Sequence, residues 1–193
     1  MKLFKYYLIA LVVIFIDQAS KLLVYFNMQK YVEGQIQIFG DWFKIYYTLN
    51  PGMAFGQELD FEYGKLTLSI FRIVAILGIA YYMKTLYKAG YSKYLLICVA
   101  LILGGAIGNA IDGTFYGVLL EGNVIPNSPT PWFHGQVIDM LYVDICDCFI
   151  PHWSPILGGT YMNLWPIFNI ADSSIFVAVG IILIWQKKLL ETT

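Results

Sequence analysis

The residues best suited to chemistry in this chain are acids placed where acids are costly. Asp172 lies inside an apolar run, Trp165–Trp185, with no basic residue within one helical turn of it. An ionisable group in such a run is expensive and marks function by default, so Asp172 must pair across segments, keep its proton or take part in a reaction. A second acid would make it a reagent. Two carboxyl groups held a few ångströms apart cannot both ionise readily, so they share a proton. The ionised member can take a proton from water while the protonated member polarises a carbonyl, which is metal-free amide hydrolysis by general acid–base catalysis. Asp112 is one partner, because Asn109-x-x-Asp112 repeats the spacing of Asn169-x-x-Asp172. Asp139, bracketed by apolar residues in Gly135-Gln136-Val137-Ile138-Asp139-Met140-Leu141, is another. Spacing alone leans towards Asp112.

Other polar residues interrupt the apolar runs, and each has a plain reading beside the functional one. Asp17 and Lys21 are helical neighbours that can simply neutralise each other. Arg72 can snorkel to the surface, Asn109 and Asn169 can be interhelical glue, and Gly104, Gly105 and Gly108 can be close-packing positions. Ser173 and Ser174 have no base on their helix and read as packing residues. His134, His152, Cys146 and Cys148 include ligand types suited to zinc, yet Cys146-x-Cys148 lacks the usual two-residue spacing; no metal and no cofactor are expected. A proton-coupled transporter or channel would use the same intramembrane acids as a relay. A non-catalytic assembly subunit packing through its glycine-rich third run is a further alternative.

The elements that must position these residues follow from composition. Of 193 residues, 59% are hydrophobic and 13% charged, against roughly 25% charged in soluble domains. Mean hydropathy is +0.64, and aromatics reach 17%, as suits long membrane–water boundaries. A net charge of −1 gives no basic surface for nucleic acid. Four runs have the length of about 20 residues that a bilayer requires: 6–26, 66–83, 94–111 and 165–185. The first is read as a retained helix and not a cleaved signal, because no small-residue cleavage site follows its apolar stretch. Lys2, Lys5, Lys84, Lys88, Lys93, Lys187 and Lys188 flank one set of span ends, while 113–164 has no Lys or Arg. Both termini are therefore predicted to be cytoplasmic, with outer connections 27–65 and 113–164 and the polar residues gathered in the outer part of the spans. Alternation in Gln35–Ile38 and Phe43–Thr48 predicts short strands, and Asn50-Pro51-Gly52 a turn. The second connection reads as loop-rich with one short helix near Val137–Val143. The fold class is an all-α polytopic membrane protein: one integral domain, 1–193, with a four-helix bundle and a small extracytoplasmic β element.

Five motifs then stand in order across the four runs: Asp17-Gln18-Ala19-Ser20-Lys21, Asn50-Pro51-Gly52-Met53-Ala54-Phe55-Gly56, Gly104-Gly105-Ala106-Ile107-Gly108-Asn109-Ala110-Ile111-Asp112, Gly135-Gln136-Val137-Ile138-Asp139 and Phe168-Asn169-Ile170-Ala171-Asp172-Ser173. Together they resemble signal peptidase II, the bacterial lipoprotein signal peptidase family of intramembrane aspartic proteases. The resemblance implies a plasma (inner) membrane enzyme with Asp139 and Asp172 as its catalytic pair and Asp112 as a structural acid. It also implies a site lined by Asn50, Gly52, Asn109 and Asn169, supported by Asp17, Lys21 and Gly105. The implied substrate is a prolipoprotein whose Cys already carries a diacylglyceryl group, cleaved just before that Cys. Membrane lipid is the other expected partner, and a monomer is the expected state. Members of the family usually carry Arg directly after the third-span Asn-x-x-Asp, where this chain has Gly113; Arg72, at similar depth on the second span, is expected to supply that charge. The stretch between Tyr116 and His134 looks longer than in many members.

Overall fold

The computed structural model describes residues 2–31, 34–51, 63–145, 147–154, 158–159, 161–163 and 166–190. In chain order the elements are α1 (Phe4–Asn27), β1 (Ile36–Phe39), β2 (Phe43–Asn50), α2 (Gly64–Lys88) and α3 (Lys93–Ile111). A π-helical turn, Asp112–Tyr116, continues α3 into the short α4 (Gly117–Leu119); β3 (Val137–Val143), β4 (Asp147–Phe149), β5 (Tyr161–Asn163) and α5 (Ile170–Leu189) follow. Among the described residues, four helices are long and apolar enough to cross a membrane: α1, α2, α3 with its continuation, and α5. Their outward faces carry exposed Leu11, Phe15, Phe71, Leu77, Leu183 and Ile184, a surface that suits lipid better than water.

The long helix α3 is central and packs against α1, α2 and α5. Glycines make this possible. A Cβ on Gly104 would lie 2.8 Å from the Ala10 carbonyl oxygen of α1, and one on Gly105 would run into the Ala171 carbonyl of α5. One apolar cluster, including Tyr6, Met83, Leu86, Leu96, Leu103 and Leu189, fills the end of the bundle where the chain starts and finishes. A second, Val24, Tyr47, Tyr116, Leu120, Ile138 and Met140, seals the opposite end against a sheet.

That sheet has the order β1-β2-β3, antiparallel throughout. Val137–Val143 is thus a strand and not the short helix expected there. Its first four residues are buried, and its register on β2 sets Asp139 opposite Thr48 and Val137 opposite Asn50. Two further differences concern helix ends. The third span does not stop at Ile111 but runs through the π-helical turn to Leu119. The fourth helix starts at Ile170, not Trp165, because Phe168 is engaged in a β-bridge to Leu141 and Asn169 caps the helix. Asp172 consequently sits in the first turn of α5, shallower than the sequence suggested.

Candidate active site

Phe168 determines what Asp139 meets. Its carbonyl accepts the Leu141 N–H at 2.7 Å, and its own N–H donates to the Leu141 carbonyl at 3.0 Å. The chain therefore leaves the edge of β3 and enters α5 within a few residues, setting Asn169 beside Asp139. Asn169 is the N-cap of α5 in a reciprocal capping box with Asp172. Its side-chain oxygen accepts the Asp172 N–H at 2.9 Å, while its Nδ2 donates to Asp139 Oδ1 at 2.7 Å.

Both carboxylates have further partners. Asn50, the last residue of β2, donates Nδ2 to Asp139 Oδ2 at 2.9 Å. Asn109 on α3 donates Nδ2 to Asp172 Oδ1 at 2.7 Å. Asp139 is fully buried and Asp172 only partly so. Burial pushes the Asp139 carboxyl up to about 7, and the neighbouring Asp172 charge adds to this; the Asn50 and Asn169 hydrogen bonds and Lys21 pull the other way. Burial wins because removing a carboxylate from water outweighs two amide hydrogen bonds.

A second cluster lies beneath the first. Lys21, fully buried, pairs with Asp17 at 2.8 Å and Asp112 at 2.7 Å, and also donates to Asn109 Oδ1 at 3.0 Å. Gln18 donates to Asp112 Oδ1 at 2.8 Å and accepts from the Tyr116 hydroxyl at 2.9 Å. Asp17 accepts the Ala171 N–H at 2.8 Å, so α1 supplies an anion to the positive end of α5. Asp17 and Lys21 do more than neutralise each other, and Asp112 belongs to their ion-paired group. Asn109 is the link between clusters, accepting from Lys21 and Asn169 while donating to Asp172.

The remaining sequence candidates fall as follows. Arg72 is half-buried: its buried Nη1 is 3.9 Å from where a Cβ on Gly113 would stand, and its charge interacts with Asp172 and Asp112. Gly105 is the α3–α5 contact point. Gly52, Cys146 and the side chain of Cys148 lie outside the described part of the structure. Ser174 donates to the Leu101 carbonyl at 3.1 Å, joining α5 to α3 as a packing residue. His134 is buried against the Trp132 carbonyl, and His152 packs edge-on against Phe149. Among the described residues, no three His, Cys, Asp or Glu side chains are grouped to hold a metal ion. Gln18, Tyr116 and Lys65, none of them among the sequence candidates, also make polar contacts around the site. Gln18 is signalled by its place beside Asp17 in an apolar run, whereas Lys65 stands at the end of the connection before the second span, where a charge carries no signal.

Fold and site together define a polytopic helical membrane protein with two amide-braced carboxyl groups, Asp139 and Asp172, where the bundle meets its sheet. Comparison with known proteins agrees. The profile described as signal peptidase (SPase) II matches residues 9–187, and the chain belongs to that family, a family of proteases. It is 49% identical over 191 residues to the lipoprotein signal peptidase of Amoebophilus asiaticus, covering 98% of this chain and 80% of that one. The lipoprotein signal peptidase of Porphyromonas gingivalis is 40% identical over 184 residues, covering 90% of this chain and 78% of its own. A bacterial membrane enzyme solved by the in meso method at 1.9 Å superposes with a TM-score of 0.65 at 26% identity, covering 95% of this chain and 93% of that one. The protein is thus a multi-pass protein of a bacterial membrane.

Proposed function

We propose that Asp139 and Asp172 are the catalytic pair with which this membrane protease removes the signal peptide of prolipoproteins. Cleavage of prolipoprotein signal peptides is the activity its family membership brings; a proton-coupled carrier is not favoured. The observation that carries the assignment of the pair is Asn169, whose one amide touches the side chain of Asp139 and the backbone of Asp172. Asp112, by contrast, is engaged with Lys21.

The chemistry follows from this asymmetry. Such a pair works with one proton shared between its members, and coupled acids titrate as a unit. The ionised carboxylate takes a proton from a water whose oxygen attacks the scissile carbonyl carbon. The protonated one donates to the carbonyl oxygen, and collapse of the tetrahedral intermediate sends a proton to the leaving amide nitrogen. Asn50, Asn109 and Asn169 hold the carboxyl groups in place, while Asp17, Lys21 and Asp112 fix the helix ends that carry them. Gly105 allows α3 and α5 to approach, and Arg72 adds positive charge near the pair. Gly52 enters this reading through the motif alone.

The basic residues at the opposite end of the bundle favour cytoplasmic termini and a site near the outer face of the plasma membrane. The substrate's apolar signal stretch then lies between the spans, and a diacylglyceryl-modified Cys just beyond the cleaved bond stays in lipid. The test is purified protein with a diacylglyceryl-modified prolipoprotein. Asp139→Asn and Asp172→Asn should each abolish cleavage while folding normally. An active Asp139→Asn enzyme beside a dead but folded Asp112→Asn would reassign the pair.

A further inference from the structure

Lys65 stands in the first turn of α2, 7% exposed, and donates its ammonium to the Pro51 carbonyl. A buried ammonium is costly unless it donates, so this contact is one the fold must make. Pro51 follows Asn50, the residue whose amide is 2.9 Å from Asp139 Oδ2. The β2–β3 register ends at Asn50 opposite Val137, and Pro51 has no N–H with which to extend it. The end of β2 is therefore held, beyond its last ladder pair, by a side chain from another element.

We propose that Lys65 is a positioning residue of the proteolytic site: through Pro51 it fixes the Asn50 amide on Asp139. The other polar groups on the same face of α2 point elsewhere. Ser69, one turn on, donates to the Phe133 carbonyl at 3.1 Å, and Arg72 lies beside Gly113. Among the described residues, the groups that act on Asp139 are Asn50 from β2, Asn169 and Asp172 from α5, and Lys21 from α1; Lys65 acts through the first of these. The inference rests on Asp139 being one of the catalytic acids.

The experiment uses the full-length protein and a diacylglyceryl-modified prolipoprotein, with pH profiles for Lys65→Met, Asn50→Leu, the double variant, Lys65→Arg and Asp139→Asn. The Asn50 hydrogen bond favours ionised Asp139, so losing it moves the alkaline limb of the profile upward. Lys65→Met should lower kcat by about 10-fold, as a misplaced catalytic group does, with KM little changed and the alkaline limb displaced upward as in Asn50→Leu. The double variant should be no slower than Asn50→Leu, because both lesions remove one interaction, and Lys65→Arg should restore the wild-type limb. If Lys65→Met does not fold, Lys65→Gln is read by the same criteria. A wild-type profile for Lys65→Met, or losses that multiply in the double variant, would overturn the role of Lys65. An active Asp139→Asn enzyme would instead overturn the catalytic pair, so the two failures are distinguishable.

Discussion

Asn169 and Asp139 are joined by a 2.7 Å hydrogen bond from the cap of α5 to the buried acid of β3. The same amide caps the helix that carries Asp172, so helix initiation and the placement of the two acids are one event. Replacing Asn169 with Leu removes both. Loss of the cap should cost about 1 kcal/mol of stability, while cleavage should fall by roughly 100-fold because a preorganised donor at the site is gone. Thermal unfolding and cleavage rate in the same detergent check this; reduced stability with full activity would make Asn169 a cap alone.

Asp139 also predicts a pH dependence. Burial lifts its carboxyl to about 7, so the folded protein holds a proton that the unfolded chain has lost at lower pH. The stability contributed by this group is full below the ordinary carboxylate range and falls as pH rises through about 7. Activity should decline over the same alkaline range as the pair loses its last proton. Asn50→Leu should move that decline to higher pH, measured as kcat/KM across pH.

The Asp17–Lys21–Asp112 group predicts unequal penalties. Lys21 is the cation shared by two fully buried acids, so Lys21→Met leaves both without it and should destabilise by about 3–5 kcal/mol. Asp112→Asn leaves the Asp17–Lys21 pair intact and should cost clearly less. Chemical or thermal unfolding of the two variants compares them directly.

The sequence made much of this legible, for reasons that differ by element. Spans over α1, α2 and α3 followed from apolar length, because lipid demands it. The start of α5 did not, since hydropathy is blind to whether Pro166–Asn169 is helical; the capping spacing Asn169-x-x-Asp172 held that information. The identical spacing Asn109-x-x-Asp112 stands at the other end of a helix and makes no such cap. Spacing shows which residues share a helix face, not which helix they face, and Asp112 faces α1. Asp139 was marked by its apolar neighbours, but its contact with Asn169 arises from the strand β3 and the Leu141–Phe168 bridge, which are pairings between distant segments. β-Branched and apolar residues over seven positions fit either element, so Val137–Val143 alone does not distinguish the strand from a short helix.

Glycine substitutions should separate packing from spare space. A Cβ at Gly105 would strike the Ala171 carbonyl, one residue before Asp172, whereas one at Gly78 has nothing within 4 Å. Gly105→Ala should therefore lose about 1–3 kcal/mol through overpacking and reduce cleavage by displacing α5. Gly78→Ala, mid-helix, should be neutral or stabilising. Parallel unfolding curves and cleavage assays provide the comparison.

Arg72 and Gly113 offer a suppressor test of where positive charge is needed. The Arg72 Nη1 lies 3.9 Å from the Cβ position of Gly113, and Ser69 Oγ lies 4.0 Å from it, so a Cβ there would make ordinary contact while a long side chain would meet the guanidinium. Its charge acts on Asp172 and Asp112, close to a reaction that develops negative charge on a carbonyl oxygen. Arg72→Gln should reduce kcat/KM by about 10-fold or more, as loss of a preorganised charge does. Gly113→Arg in the wild-type background should be crowded and repelled by Arg72, and so should destabilise. Combined with Arg72→Gln, the same substitution finds the space vacated and the acids short of a cation, and it should recover activity. Failure of the double variant to exceed Arg72→Gln, with both folded, would mean that Arg72 acts through packing of α2 and not through its charge.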